Sequence, residues 1–365
     1  MRKRPRQSDD DGAMLSAASQ RAFLAFLSSL PNWAVHALNN GPKLVAGHVL
    51  EPRLRFIEKS LQRAEPESPP SLLAMRRATS EMATVISGRA LEGVLTRQIS
   101  VSAGIGRTIT VRAYERAEAR NAGVAVVYAH FGGGVVGDLG TSDWFCRLLA
   151  LRTGAVILSV DYRLAPEHPF PSGYEDYLAV YRWARYERRS DWPLVGVAGD
   201  SIGGCFAAAC TVEAVKAGDV APDFQVLVYP VLDLTRPFPS QELFADAFPM
   251  SSNTAQWFMA QYLPAGTDLL DHRVSPGLYA ADASRVQTLL VAAGHDVLVD
   301  QAVWFRDKLS QHGAAVDWFL FHDLCHGFTS MSGVSRRIES ACETIASGIA
   351  AMVRRCAPAN FSVSP

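Results

Sequence analysis

The spacing of apolar residues changes character once along this chain, near residue 97. Before that point hydrophobic positions recur with a helical period. Leu15, Ala18, Ala22, Phe26 and Leu30 fall on one face, and Pro31 stops the run. The pattern predicts further helices over about 51–64 and 71–87, separated by the proline-rich Glu65-Pro66-Glu67-Ser68-Pro69-Pro70. After the change come eight short β-rich runs, at 97–101, 108–114, 124–129, 155–160, 194–198, 224–229, 288–292 and 315–321. Helical stretches at about 142–152, 173–190, 202–217, 299–311 and 334–354 lie between or after the later runs.

Two hairpin-like strands followed by strand–helix alternation predict an α/β fold, with a mostly parallel sheet covered on both faces. Ser172-Gly173-Tyr174-Glu175 reads as a capping box opening the helix at 173, and Gly218 and Gly313 stand where helix C-terminal caps belong. One interval is out of proportion. More than fifty residues separate Tyr229 from Thr288, broken by Pro237, Pro239, Pro249 and Pro264, with a helix over 252–262 that carries Trp257, Phe258 and Tyr262. A connection of that length with that aromatic content predicts a lid or binding element rather than a plain surface excursion.

A chain of 365 residues, 48% apolar, can bury a large core in one α/β domain with an added lid, or in two small domains. With 35 basic and 36 acidic residues the net charge is −1, so neither a nucleic-acid footprint nor a polybasic membrane surface is expected. Cys146, Cys205, Cys210, Cys325, Cys342 and Cys356 show no metal-type or redox spacing and read as free thiols of a reducing compartment. The basic start (Arg2, Lys3, Arg4, Arg6) is followed by Asp9, Asp10 and Asp11. The stretch after Met14 holds Ser16, Ser19, Gln20 and Arg21, which suits an amphipathic helix better than a secretory signal. No run of about 18 apolar residues spans a bilayer. A cytoplasmic protein is expected, with residues 1–14 disordered and a homodimer open.

The chemistry concentrates at Val195-Gly196-Val197-Ala198-Gly199-Asp200-Ser201-Ile202-Gly203-Gly204. An apolar strand turns abruptly, through Gly-x-Ser-x-Gly, into the small-residue helix beginning Cys205-Phe206-Ala207. Such a turn exposes a serine hydroxyl above the sheet edge, at the positive end of a helix dipole. Acyl transfer then needs a base, a group to orient it and donors for the oxyanion. Downstream, one strand releases His295-Asp296-Val297-Leu298. The next is expected to end at Phe321, with His322-Asp323-Leu324-Cys325-His326-Gly327-Phe328 in its loop. An acid and a histidine thus follow the serine, each just past a strand's carboxyl end, where open α/β sheets place their ligand sites. His295, His322 and His326 are rival bases, and Asp296 and Asp300 rival orienters, Asp300 also suiting a helix start. His130-Phe131-Gly132-Gly133-Gly134, past the strand 124–129, has the glycines of an oxyanion loop, with the Ile202 amide as its second source of donors. No Lys-Ser/Thr follows these glycines, so they match a phosphate-cradling loop poorly.

Taken together, these motifs make residues 95–355 resemble the hormone-sensitive-lipase-like esterases (bacterial family IV) of the α/β-hydrolase fold. Gly199-Asp200-Ser201-Ile202-Gly203-Gly204 is similar to that family's Gly-Asp-Ser-Ala-Gly-Gly, and Asp161-Tyr162-Arg163-Leu164-Ala165-Pro166-Glu167 matches its hallmark residue for residue. Tyr229-Pro230-Val231-Leu232-Asp233 and His326-Gly327-Phe328 also fit. The resemblance implies an eight-stranded, mostly parallel sheet in a catalytic domain over 91–230 and 287–357. It also implies a helical cap made from 15–90 and the insertion 231–286. It assigns Ser201 as nucleophile, His326 as base, Asp296 as orienter, and the amides of Gly132, Gly133 and Ile202 as oxyanion donors. No cofactor and no metal are implied.

Supporting parts are expected from His130, beside the oxyanion loop, and from Asp161, Arg163 and Glu167, as a buried polar network beneath the serine turn. Asp200 reads equally as a second-layer group or a turn former. The chain departs from the family pattern in four places: Phe131 stands for the first glycine, Gly134 for the following aromatic, Ile202 for Ala, and Asp296-Val297-Leu298-Val299-Asp300 for Asp-Pro-Leu-Arg-Asp. The expected activity is hydrolysis of short- to medium-chain carboxylic esters on small-molecule substrates. A binding protein on the same fold, or an amidase or lactonase using the same triad, are the competing readings.

Overall fold

The structure, a computed structural model, describes residues 16–63, 71–104, 106–118 and 123–356. The expectations for 1–14 and for the proline-rich 65–70 lie outside the described residues. Four helices lead the chain: α1 (Ala17–Ser29), α2 (Asn32–Leu38), α3 (Pro52–Arg63) and α4 (Leu72–Ile86). Between α2 and α3 a two-stranded hairpin, β1 (Leu44–Val45) and β2 (His48–Val49), was not foreseen. Ser16 and Ser71 cap α1 and α4 by accepting the amides of Ser19 and Ala74.

The main sheet follows the period-2 and all-apolar runs. Its strands are β3 (Val94–Ser102), β4 (Thr108–Arg116), β5 (Val124–Ala129), β6 (Val156–Val160), β7 (Leu194–Asp200), β8 (Phe224–Val228), β9 (Gln287–His295) and β10 (Val316–Cys325). Their order is β10-β9-β8-β7-β5-β6-β4-β3. The β3–β4 and β4–β6 pairs are antiparallel, and the rest are parallel. Strand β5 is buried on both sides. Ala125, Val127 and Ala129 enter the core under α6 (Ser172–Arg182), α7 (Ile202–Ala217) and α11 (Val299–Gln311), around Phe206 and Phe305. Val124, Val126 and Tyr128 enter the opposite core under α5 (Asp143–Thr153) and α12 (Arg336–Cys356), around Phe145 and Ile345. Burial on both faces is why the central strands read as unbroken apolar runs rather than alternating ones.

The long interval holds α8 (Pro239–Leu243), α9 (Ser252–Tyr262) and α10 (Ala280–Ala283). Three local expectations change. Helix α6 opens at Ser172 with Pro171 in the cap position and no side-chain cap bond, so the serine is already inside the helix and no capping box forms. Past Arg182 the chain continues as a π-helical turn, Trp183–Glu187. Strand β10 runs on to Cys325 through a bulge, which puts His322 on the strand, stacked against His48 at 4.1 Å, rather than in a loop. Gly218 closes α7 in the left-handed conformation, and Gly313 lies just past the cap residue of α11 with φ +80.

All six cysteines are free, five of them buried. No helix among the described residues is long and apolar enough to cross a membrane. The tightest approach in the fold is Gly203, at the start of α7: a Cβ there would lie 2.0 Å from the carbonyl oxygen of Ala129 at the end of β5. Gly203→Ala is therefore expected to lower stability by about 3 kcal/mol or more, because backbone must move against backbone. A urea unfolding midpoint equal to that of the unaltered chain would refute this.

Candidate active site

Four loops meet at the carboxyl edge of the sheet, and each carries one part of the candidate machinery. Strand β7 ends at Asp200, and Ser201 makes the turn into α7 with φ 59 and ψ −118, a strained conformation for a residue with a side chain. Its amide donates to Val228 O at 2.9 Å, and its side chain is buried. Asp296 follows the last residue of β9, and His326 the last residue of β10. The three side chains come together: His326 Nε2 lies 2.8 Å from Ser201 Oγ, and His326 Nδ1 lies 2.7 Å from Asp296 Oδ2. A carboxylate only accepts, so Nδ1 carries the proton. Nε2 of the neutral ring is then left to accept from the serine hydroxyl.

The rival residues stand elsewhere in the network. His322 stacks on His48. His295 is buried against Phe244, its pKa lowered to about 4, chiefly by burial. Asp300 accepts the amide of Ser240 at 2.8 Å and so ties α8 to the first turn of α11.

The glycine loop leaves β5, the strand beside β7, with Ala129 paired to Gly199. Gly132 needs to be glycine twice over: its φ is +122, and a Cβ would sit 2.1 Å from Val136 O. Phe131 needs no left-handed backbone, which is why a bulky residue is tolerated in the family's first glycine position. Its carbonyl accepts from His130 Nδ1 at 2.7 Å. His130 lies beneath the loop, stacked on Tyr162 at 4.4 Å, and the Tyr162 hydroxyl donates to His130 O at 2.9 Å. Burial lowers its pKa to about 4, so it is neutral at pH 7. The missing aromatic at position 134 is supplied from a distance. Tyr262 of α9 lies against Gly134, where a Cβ would be 2.7 Å from its ring, and Phe258 lies in the same way on Gly133 at 2.6 Å.

Phe131, Gly132, Gly133, Ser201 and His326 line one end of a cavity of about 880 Å³. The rest of its wall is mainly apolar, from α3 and α4 (Leu61, Met75, Met82) and from the interval after β8 (Met250, Phe258, Met259). Among the described residues no cluster of His, Cys, Asp or Glu is arranged to hold a metal ion.

Two expectations about supporting residues need correction. Asp161, Arg163 and Glu167 form no buried network under the serine turn. Asp161 and Glu167 are exposed, while Arg163 pairs with Asp176 and Glu167 with Arg76. Arg163 is half-buried on the buried Asp176 of α6, and Glu167 meets Arg76 of α4 at the surface. A buried network does exist, built from other residues. Asp200, fully buried, accepts from the Tyr128 hydroxyl at 2.8 Å, Tyr229 at 3.1 Å and Thr329 at 3.3 Å. The Tyr229 ring lies 4.7 Å from that of His326. The sequence offered only the Tyr229-Pro230 signature and gave no sign of Tyr128 or Thr329.

Burial raises the Asp200 pKa from 3.8 to about 6, against the lowering effect of the tyrosine bonds. Between those values the folded chain holds a proton that the unfolded chain has released. The stability of the protein relative to Asp200→Asn is thus expected to fall, on the order of 2 kcal/mol, as pH rises from 4 to 6, and to level off above. Parallel unfolding midpoints for the two proteins across that range, if found, would exclude a perturbed Asp200.

Comparison with known proteins bears on the whole arrangement. A family model described as the alpha/beta hydrolase fold matches residues 126–330. The ethyl acetate hydrolase of Pseudomonas putida is 32% identical over 265 residues, covering 71% of this chain and 83% of the relative. The carboxylesterase NlhH of Mycobacterium tuberculosis is 34% identical over 253 residues, 67% of this chain and 78% of the relative. Among solved structures, an ester hydrolase from the metagenome of Lake Arreo, complexed with a bipyridine phosphonate derivative, superposes with TM-score 0.76 at 30% identity. The match covers 83% of this chain and 98% of that one. The esterase of the archaeon Pyrobaculum calidifontis gives 0.74 at 29% identity, with the same coverage. The chain belongs to the α/β-hydrolase fold family and, within it, to the hormone-sensitive-lipase-like carboxylic ester hydrolases.

Proposed function

We propose that this protein hydrolyses short- to medium-chain carboxylic esters through Ser201, His326 and Asp296, by way of an acyl-enzyme. The observation that carries the reading is the continuous hydrogen-bonded line from Ser201 Oγ through the His326 ring to Asp296. In this reading His326 takes the serine proton as Oγ attacks the acyl carbon. Asp296 keeps the proton on Nδ1, so that Nε2 is free to act as base, and stabilises the imidazolium that forms. The amides of Gly132, Gly133 and Ile202 receive the negative oxygen, each such donor contributing about 3–4 kcal/mol to the transition state. The alcohol leaves with the proton from Nε2, and water then repeats the sequence on the acyl group.

The N-terminal helices and the insertion 231–286 act as the cap in this proposal. The acyl group lies under α4 and α9. Five of the eight methionines (Met75, Met82, Met250, Met259 and Met331) face that cavity, and their flexible thioethers suit acyl groups of varied shape.

The test is hydrolysis of p-nitrophenyl esters from acetate to palmitate, with fluorophosphonate labelling alongside. The rate is expected to peak at medium chain length. Ser201→Ala is expected to lower kcat by at least about 10⁴-fold and to abolish labelling. A Ser201→Ala protein that still turns over ester would remove the nucleophile. An unaltered protein that neither labels nor hydrolyses would favour a binding protein on the same fold.

A further inference from the structure

Arg76 reaches from the N-terminal helices to the backbone immediately after the glycine loop. It sits on α4 and is three-quarters buried. Its Nε donates to Val135 O at 2.9 Å, and one terminal nitrogen donates to Ala165 O at 2.8 Å. The two terminal nitrogens also grip Glu167 at 2.8 and 2.6 Å. Both carbonyls belong to the glycine turn and its support. The amide of Val135 closes the turn onto Gly132 O at 3.0 Å, and the amide of Ala165 donates to Gly134 O at 2.8 Å. One guanidinium thus joins two backbone segments whose amides already hold the turn, using the planar fork that only arginine offers.

The next turn of the same helix continues the contact. Ser80, four residues on, bonds the carboxylate of Asp138, which accepts the amides of Gly140 at 2.7 Å and Thr141 at 3.2 Å. The neighbouring face of α4, with Met75, Thr79 and Met82, walls the cavity. One helix therefore touches both the acyl space and the backbone that carries the oxyanion donors.

We infer that Arg76 is a positioning residue for the oxyanion hole, so that the donor geometry at Gly132 and Gly133 depends on α4 being docked. Binding under the cap and stabilisation of the transition state are then coupled through one side chain. The inference rests on the proposed roles of Ser201 and the glycine amides.

The experiment compares the full chain with Arg76→Ala, Arg76→Lys and, as control, Arg77→Ala at an exposed position of the same helix. It measures kcat and KM on p-nitrophenyl butyrate, inhibition by an alkyl trifluoromethyl ketone, which forms a tetrahedral oxyanion on the serine, and fluorophosphonate labelling. Arg76→Ala is expected to lower kcat about 10- to 100-fold and to weaken the ketone by a similar factor. KM is expected to stay within about threefold, Ser201 to remain labelled, and Arg77→Ala to match the unaltered protein.

Arg76→Lys keeps the stem and the charge but not the fork, and should fall between. If the alanine variant does not fold, the lysine variant decides alone, by whether its loss in kcat is matched by loss of ketone affinity. Ketone affinity and kcat within twofold of the unaltered protein would overturn the inference. So would a rise in KM with kcat intact, which would mean that α4 is only a wall. Neither outcome touches the nucleophile assignment, which fails only if Ser201→Ala remains active.

Discussion

The arrangement depends on a single close approach, the backbone of Gly203 against the carbonyl of Ala129. Strand β5 ends at Ala129, and the glycine loop leaves from there. Helix α7 begins at Ile202, immediately after the serine turn. With no Cβ between them, the first turn of the helix comes down onto the end of the neighbouring strand. The amide of Ile202 and the glycine loop are then held to the same small volume beside the serine. The same requirement keeps the turn sharp enough to strain Ser201. The strain is sustained by packing on every side: Val228 O holds the Ser201 amide, and Pro230 lies against Gly204.

Around His326 the electrostatics are asymmetric in a useful way. Two buried carboxylates stand near the ring, but only Asp296 is bonded to it. Asp200 spends its lone pairs on hydroxyl donors and reaches the imidazole only through the ring of Tyr229 and through space. A carboxylate that bonded both ring and tyrosine would compete with Asp296 for the orientation of the imidazole. Held by Tyr128, Tyr229 and Thr329, Asp200 instead fixes the floor on which the ring lies. The gain is mechanical, because the hydroxyls that satisfy this carboxylate come from β5, from the turn after β8 and from the segment after His326. Three segments distant in sequence are locked to the residue preceding Ser201.

Strand and helix positions were legible because the central strands are buried on both faces and the flanking helices on one, and each state leaves its own period in the sequence. The convergence of Ser201, Asp296 and His326 was legible because parallel strands deliver their loops to one edge. Sequence spacing failed where a partner is remote. Glu167 read as a charge stranded in an apolar segment, yet its donor, Arg76, is 91 residues away on a helix that had no visible business with the loop. His322 misled because a bulge lets β10 continue past Phe321, and a bulge has no hydrophobic period to announce it. Ser172 has the composition of a cap, but Pro171 takes the cap position before it and no side chain bonds the helix end.

The exchange at Gly134 shows why such features escape a linear reading. Losing an aromatic there looks like losing a wall of the pocket. In three dimensions the glycine is what admits Tyr262, whose ring fills the space and packs on Phe206 and Phe170, while Tyr262 O accepts the Phe170 amide. An aromatic at 134 and an aromatic at 262 are alternatives for one volume, and choosing the second binds helix α9 to the loop. Phe258, one helical turn earlier, does the same at Gly133. Together with Arg76, which bonds Val135 O just past the loop, this leaves the glycine loop held between helices α4 and α9. The glycine loop thus draws its packing from helices that also wall the adjoining cavity.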